Sequence, residues 1–323
     1  MFSGIEGIIG SQHVSGEAFF ITHENGTTRS YKVRLEPSAE KELTEEFCKK
    51  LRSDIIDPNA GKTSVPAVSG LLERDKQVFE YDHHNINHLP PEFIEMRNVM
   101  SFGINNQPPY FDFANQSLSA VKGITYHLSD GAGNSVVLYQ HKYPVSLHRK
   151  TKKSYFSVNG RTLDRVNHDS IDINNTIDFF YYSSNFYAIN IGLLERFYGL
   201  EQVIDNLANS ATPLILGLNV IDLQGIQAPQ DIFKDMHKDR AFMRRLAMIT
   251  NGNLIRQGVT LSQIQQVTAN FPVFQRTIDL TSGLISLSTK EQKRYFIRLL
   301  NNEASFAALD NSPFLAVDKD SAS

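Results

Sequence analysis

The sequence holds a single cysteine, Cys48, among its 323 residues. That count excludes an intramolecular disulfide and a multi-cysteine zinc site. Long apolar runs are absent too: the longest candidate, residues 213–220, is far shorter than the roughly 20 residues that cross a bilayer. The start, Met1-Phe2-Ser3-Gly4, lacks the basic region and apolar core of a signal peptide. These absences predict a soluble, cytosolic protein that reaches a membrane only through a partner.

An excess of charge of one sign is also lacking, since the formal net charge is −3. The distribution is uneven: residues 1–118 are acid-rich, whereas 140–165 and 230–300 are base-rich. The stretch 142–165, here called the basic segment, has seven Lys or Arg residues and one acid, Asp164. Such a concentration indicates a surface for a polyanion such as DNA, because phosphates attract cations regardless of base sequence. A solvated loop is the alternative interpretation.

The predicted DNA contacts fall into two groups. In the basic segment they are Lys142, Arg149, Lys150, Lys152, Lys153 and Arg161. A helix predicted over 231–249 would form a second patch, because helical spacing puts its apolar residues on one side and its cations on the other. The cations of that second patch are Lys234, Lys238 and Arg245.

The pattern of turns and apolar residues predicts an α+β fold. Asn25-Gly26 between alternating runs predicts a hairpin, because both residues tolerate positive φ. A helix should follow Pro37-Ser38, and another should follow Gly192, with apolar residues at the spacing of one buried face: Leu193, Phe197, Leu200, Ile204 and Leu207. Capping boxes that begin at Thr260 and Ser288 predict helix starts near 261 and 289. Strands are expected at 122–128, 135–143, 163–166, 178–182 and 186–189, with a buried core strand at 213–220.

Two domains and a short tail follow from this pattern. We predict an N-terminal hairpin-and-helix domain over 1–118. A mixed β-sheet region with a helical C-terminal part occupies 119–316, and a tail occupies 317–323.

Motifs for catalysis are weaker than the basic segment. The cluster of Asp82, His83, His84 and His88 lacks the spacing of a zinc protease and is interpreted as a polar loop. The glycine-rich stretch 130–134 precedes a strand rather than a helix, so it is interpreted as a hairpin turn. A metal-dependent nuclease needs clustered carboxylates, and the candidates are Asp169, Asp172 and Asp178. No cofactor, metal site or catalytic residue is predicted.

A family resemblance runs through the middle of the chain. Its blocks are Ala120–Tyr126, Val136–Gln140, the basic segment, Leu163–Val166, Ile177–Tyr182, Leu193–Gly199 and Phe296–Asn302 followed by Ser312-Pro313-Phe314. In this order they resemble the KwaB-like family of the bacterial Kiwa anti-phage system, which was first catalogued as a domain of unknown function. The resemblance covers about residues 118–316.

The resemblance implies a homodimeric cytosolic effector held at the inner membrane by a membrane-embedded partner, the other protein of the Kiwa system. It also implies DNA binding that interferes with phage DNA replication or transcription. It supplies no catalytic residues, which favours binding over catalysis. Two alternatives stay open: a metal-dependent nuclease acting on phage DNA, and a structural adaptor to a membrane partner.

Overall fold

A computed structural model gives the structure of the protein, and it describes residues 2–56, 63–67, 77–81, 83, 89–102, 106–143, 147–148, 156–159, 162–165, 170–171, 173, 176–250, 258–280, 282–306 and 313–315. The chain folds into two compact units. Unit 1 comprises residues 1–65, 75–81 and 88–198. Unit 2 comprises residues 66–74, 82–87 and 199–323.

A central sheet organises unit 1. Its strands are β1 (Ser15–Glu24), β2 (Thr27–Lys32), β3 (Thr63–Pro66), β4 (Gln77–Glu80), β5 (Val121–Ser129), β6 (Ser135–His141), β11 (Phe179–Tyr182) and β12 (Asn185–Ala188). They lie in the order β2-β1-β5-β6-β11-β12-β4-β3. Two short pairs flank the basic segment or lie within it: β7 (Leu147–His148) with β10 (Ser170–Ile171), and β8 (Phe156–Asn159) with β9 (Thr162–Arg165).

The hairpin predicted at Asn25-Gly26 is confirmed. Strands β1 and β2 pair antiparallel, and Asn25 and Gly26 turn between them with φ of 50° and 75°. A two-residue turn with both φ values positive has a backbone twist that matches that of the flanking strands. The strands predicted on either side of residues 130–134 are confirmed as β5 and β6, so the glycine-rich stretch is a hairpin turn.

Helices cover both faces of the sheet. On one face, α1 (Ser3–Gly10) and α2 (Pro37–Leu51) contribute to an apolar core that includes Phe47 and Leu51 from α2 and Tyr126 and Phe180 from the sheet. On the other face, Phe93 of α3 (Pro91–Ser101) packs against the rings of Phe179 and Phe186. The sheet is therefore buried on both sides.

One glycine makes room for a ring on the second face. A Cβ on Gly123 would collide with the side chain of Tyr139, so β5 accommodates that ring only with glycine at this position. The last helix of unit 1 is α4 (Ile191–Phe197), which follows β12. Tyr198 comes directly after it and is 3% exposed.

Unit 2 is mostly helical among its described residues. Its helices are α5 (Leu200–Leu216), α6 (Arg240–Ile249), α7 (Leu261–Asn270), α8 (Pro272–Thr277) and α9 (Lys290–Leu300). Strand β13 (Ala304–Phe306) pairs antiparallel with β14 (Pro313–Leu315). Helices α7 and α9 begin where the capping boxes predicted. The box of α9 uses Thr289 and Gln292, one residue later than the predicted pair of Ser288 and Glu291.

Two predicted elements of unit 2 are wrong. The core strand expected at 213–220 is instead the last turn of α5 and the residues after it, because buried residues continue at helical spacing past Pro213, at Leu207, Ala211 and Ile215. The helix expected over 231–249 begins only at Arg240, where Asp239 caps it by accepting a hydrogen bond from the Phe242 N–H. Residues 229–236 form two short 3-10 turns instead.

The α+β fold class is confirmed, with the helices concentrated toward the C-terminus. The predicted division at residue 118 differs from the structure, because β1 and β5 lie on opposite sides of that residue in sequence and pair along eight positions. Residue 118 therefore falls inside unit 1. The predicted tail, 317–323, lies outside the described residues.

Candidate nucleic-acid interface

The structure describes only part of the predicted DNA contacts. Five of the predicted cations lie outside the described residues: Arg149, Lys150, Lys152, Lys153 and Arg161. Lys142 is described, and it is only 4% exposed. Its backbone N–H donates to the carbonyl of Lys122, which continues the pairing of β6 with β5. The structure thus differs from the prediction of Lys142 as a surface cation, because its side chain is buried.

The second predicted patch does not form one helix face. Lys234 lies in a 3-10 turn and pairs with Asp231, with 3.0 Å between the ammonium nitrogen and the carboxylate oxygen. Lys238 is exposed in the turn before α6. Arg245 is inside α6, and its Nε donates to Glu303 at 2.8 Å. Of these three cations, Lys238 alone is both exposed and without an ion pair to another described residue.

Acidic residues neutralise several cations of this base-rich region. Glu303 is 6% exposed and accepts hydrogen bonds from Arg245 and from Arg298, the latter at 2.7 Å. Lys293 pairs with Asp235 at 2.6 Å. Several cations of α6 and α9 therefore hold unit 2 together through ion pairs. They give its surface less positive charge than their number suggests.

A different group of side chains lies where β6 ends and the basic segment begins. We call His141, Tyr143 and Phe197 the aromatic platform. The imidazole of His141 stacks on the Phe197 ring, with 5.0 Å between centroids and 18° between planes. The Tyr143 ring meets His141 edge-on at 4.8 Å. Tyr143 is 40% exposed and Phe197 is 45% exposed, so part of each ring faces solvent.

A chain of hydrogen bonds on the buried side of the aromatic platform fixes His141. The Tyr198 hydroxyl lies 2.7 Å from Nδ1 of His141 and 3.0 Å from the Tyr139 hydroxyl. The backbone N–H of His141 donates to Asp178 Oδ2 at 2.8 Å. The second oxygen of that carboxylate accepts from Asn190 at 3.3 Å. These contacts fix both the backbone and the ring of His141.

The charges at this site come from arginine and lysine rather than from histidine. Burial lowers the pKa of His141, and the nearby Lys122 ammonium lowers it further, so the imidazole is neutral at neutral pH. The guanidinium of Arg196 lies over the Phe197 ring at 5.1 Å from its centroid. Lys122 and Arg196 are both exposed. The aromatic platform therefore combines neutral rings with two surface cations.

Asp178, a candidate nuclease carboxylate, has a structural role here. Burial raises its pKa, while its hydrogen bonds and the charge of Lys142 act in the opposite direction. The other two nuclease candidates, Asp169 and Asp172, lie outside the described residues, as do Asp82, His84 and His88. Over the part of the chain that the structure describes, no group of three histidine, cysteine or acidic side chains is arranged to hold a metal ion.

Sequence reasoning missed the aromatic platform because it assigned Phe197 to a buried helix face. That interpretation assumed one continuous helix from Gly192 to Leu207. The structure has two helices, separated at Tyr198 and Gly199, and Gly199 adopts a φ of 75°. The break removes Phe197 from the apolar stripe and buries Tyr198 instead. The glycine itself was the available signal.

Comparison with known proteins identifies the family. The sequence profile of the Kiwa protein KwaB-like family matches residues 118–309. This chain belongs to that family. The match confirms the predicted resemblance, and it carries a role in Kiwa anti-phage defence. It spans β5, β6, the basic segment, α4 and most of unit 2, so it includes the aromatic platform. No curated protein and no solved structure shows a significant match to the chain.

Among the helices of the described residues, none has both the length and the apolar character needed to cross a bilayer.

Proposed function

We propose that this KwaB-like protein is the DNA-binding effector of a Kiwa defence complex and that it obstructs phage DNA replication or transcription. The observation that carries the proposal is the position of the aromatic platform. The chain leaves β6 at His141, passes through Tyr143 and continues into residues 144–165, which hold six cations and one acid. Rings and cations together are the side chains that bind nucleic acid without reading its sequence.

The proposed contacts divide by their chemistry. Arg149, Lys150, Lys152, Lys153 and Arg161 would neutralise phosphates, which gives affinity and places the protein on DNA but does not specify sequence. Lys238 would contribute from the second patch. Lys142, Lys234 and Arg245 are left out of the proposed contact, because Lys142 is buried and the other two are paired with acids.

Obstruction follows from occupancy alone. A protein that covers DNA through phosphate contacts blocks replication or transcription without cutting a bond. The nuclease alternative would need carboxylates at the scissile phosphate, and the Asp178 carboxylate accepts from the backbone of His141 and from Asn190 instead. Incubation of supercoiled DNA with Mg²⁺ and the protein tests that alternative, and cutting that disappears in Asp178→Asn would establish it.

Assembly is part of the proposal. We propose a homodimer held at the inner membrane by the membrane-embedded partner protein of the Kiwa system. Two copies on one duplex would raise the apparent affinity, because the second binding event becomes intramolecular. Light scattering should give about twice the chain mass, which is the simplest closed assembly. A monomer with full DNA affinity would remove the dimer from the account.

A four-residue variant tests where DNA binds. Replacing Arg149, Lys150, Lys152 and Lys153 together with alanine should lower duplex affinity by about tenfold or more across all sequences. In phage-challenged cells the same variant should lose protection. The physical reason is the loss of phosphate contacts.

A matched control variant distinguishes the effect of where the cations lie from the effect of net charge on duplex affinity. Replacing Lys41, Lys49, Arg276 and Lys290 with alanine removes the same charge from exposed sites elsewhere. This control should keep nearly all duplex affinity. Equal losses in the two variants would show that only net charge matters, and unchanged affinity in both, with unchanged circular dichroism, would make the basic segment a solvated loop.

A further inference from the structure

We propose that the aromatic platform binds an unpaired base of single-stranded DNA. The inference deepens the proposed function and rests on it, since it names the form of DNA that one part of the site accepts. It concerns His141, Tyr143 and Phe197 and the two cations beside them, Lys122 and Arg196. The proposed contact between a base and these rings is separate from the phosphate contacts of the basic segment.

The exposure of these rings is unusual for their face of the sheet. Phe93 and Tyr139 on that face are each 1% exposed, whereas Phe197 and Tyr143 keep about half of their surface in solvent at 45% and 40%. The two exposed rings also approach each other, with 6.3 Å between their centroids. Adjacent rings that stay in water without burying one another offer a stacking surface for another flat group.

The aromatic platform is held in place before any ligand arrives. His141 is fixed by its stacking on Phe197, by the Tyr198 hydroxyl at Nδ1 and by the Asp178 carboxylate at its backbone N–H. Tyr198 in turn packs on Phe93 at 5.1 Å and 14°. A base that stacks on a fixed ring costs less ordering entropy than one that must first organise a loop. Rigidity of this kind is typical of a binding surface.

The charges favour a nucleic acid over a neutral aromatic ligand. Lys122 and Arg196 are exposed beside the rings, and the basic segment starts at residue 142. The half-buried carboxylate of Asp178 already accepts hydrogen bonds from His141 and Asn190. A strand whose base lies on the rings would therefore bring its phosphates toward cations.

The stacking geometry selects unpaired bases. In a duplex each base face is covered by its neighbours, and only the edges reach the grooves. An exposed ring can stack on a base only where the strand is single, and such stacking tolerates every base because each has a π-face. Replicating and transcribed DNA exposes such strands, which fits an effector that obstructs both processes.

The test compares single-stranded and duplex DNA with ring-deleted variants. Tyr143→Leu combined with Phe197→Leu removes both exposed rings and keeps apolar bulk. Affinity for an oligothymidine strand should fall by roughly 5- to 150-fold, which is the range for loss of base–aromatic stacking, and by much more than the affinity for duplex DNA. Phe113→Leu is the matched control, because Phe113 is 57% exposed in the same unit but outside the aromatic platform.

A second measurement uses the unaltered protein and so does not depend on how the variant folds. An abasic strand of equal length keeps every phosphate but has no base to stack. The protein should bind it less tightly than oligothymidine, by a factor similar to that of the ring deletion. A 2-aminopurine placed in the strand should lose fluorescence on binding, as a stacked base does.

The outcomes separate this inference from the proposed function. Equal affinity for abasic and thymidine strands, with duplex binding intact, overturns the base-stacking proposal alone. A parallel loss of single-strand and duplex affinity in the ring-deleted variant also overturns it, because the rings would then act only through the fold. Tighter binding to an RNA strand of the same length would assign the surface to RNA instead. Failure to bind any DNA at low salt overturns both proposals.

Discussion

The hydroxyl of Tyr198 offers a direct test of how the fold positions the aromatic platform. Tyr198→Phe removes one oxygen and leaves the ring, which packs on Phe93 and on Phe179, the latter at 4.9 Å between centroids. The packing loss is therefore small. What disappears is the contact to His141 Nδ1 at 2.7 Å and the contact to the Tyr139 hydroxyl at 3.0 Å.

The magnitude follows from those two hydrogen bonds. Each contributes about 0.5–1.5 kcal/mol net, which sets a range of about 1–3 kcal/mol for the pair. Two remaining hydrogen-bond partners reduce the expected loss of stability. The Tyr139 hydroxyl still lies 3.4 Å from the Lys122 carbonyl, and the half-buried His141 imidazole can bind water. We expect unit 1 to lose about 1.5 kcal/mol of unfolding free energy.

Urea denaturation followed by circular dichroism measures this loss, with the transitions of the two units fitted separately. The matched control is Tyr110→Phe, since Tyr110 is 48% exposed and its hydroxyl has no hydrogen bond to another described residue. The control should change stability by less than about 0.5 kcal/mol. A Tyr198→Phe loss no larger than the control would refute the role of the hydroxyl. A loss above about 4 kcal/mol would show that ring packing reorganises instead.

Three further predictions concern the rest of the molecule. Glu303→Gln should destabilise unit 2 by about 3 kcal/mol in urea denaturation, because it leaves the half-buried guanidiniums of Arg245 and Arg298 without their carboxylate, while DNA affinity stays unchanged. Thr289→Ala should cost about 1 kcal/mol through loss of the helix cap, and a loss near zero would contradict the capping role. Burial lowers the pKa of His127 below 6.5, so its contribution to stability is complete above about pH 6.5 and is lost as the pH falls through the lowered pKa. In His127→Leu the unfolding free energy should therefore fall less as the pH is lowered below about 6.5. The same dependence of unfolding free energy on pH in the two proteins would contradict this.

Local signals in the sequence predicted the local structure well. Asn25-Gly26 predicted a turn whose backbone needs positive φ, and the capping boxes predicted where two helices start, one of them to within one residue. In each case the determining interactions lie within a few residues, so the sequence around the element contains its cause.

Contacts between residues distant in sequence could not be predicted from these local signals. The charge pattern showed Arg245 and Arg298 as cations but could not show that both donate to Glu303. The sheet joins β1 to β5 across about a hundred residues, which hid the extent of unit 1. These two misses concern contacts between parts distant in sequence. The position of Phe197 was missed for a local reason, because the apolar period was followed through Gly199, where the helix breaks.

The salt dependence of duplex binding tests the central claim most directly. If at least Arg149, Lys150, Lys152 and Lys153 contact phosphates, log Kobs should fall linearly with log salt at a slope of about −3.6 or steeper. Between about 50 and about 200 mM salt the affinity of the unaltered chain should then drop by about 150-fold. An affinity that stays flat across this range, or no binding at low salt, would contradict the account.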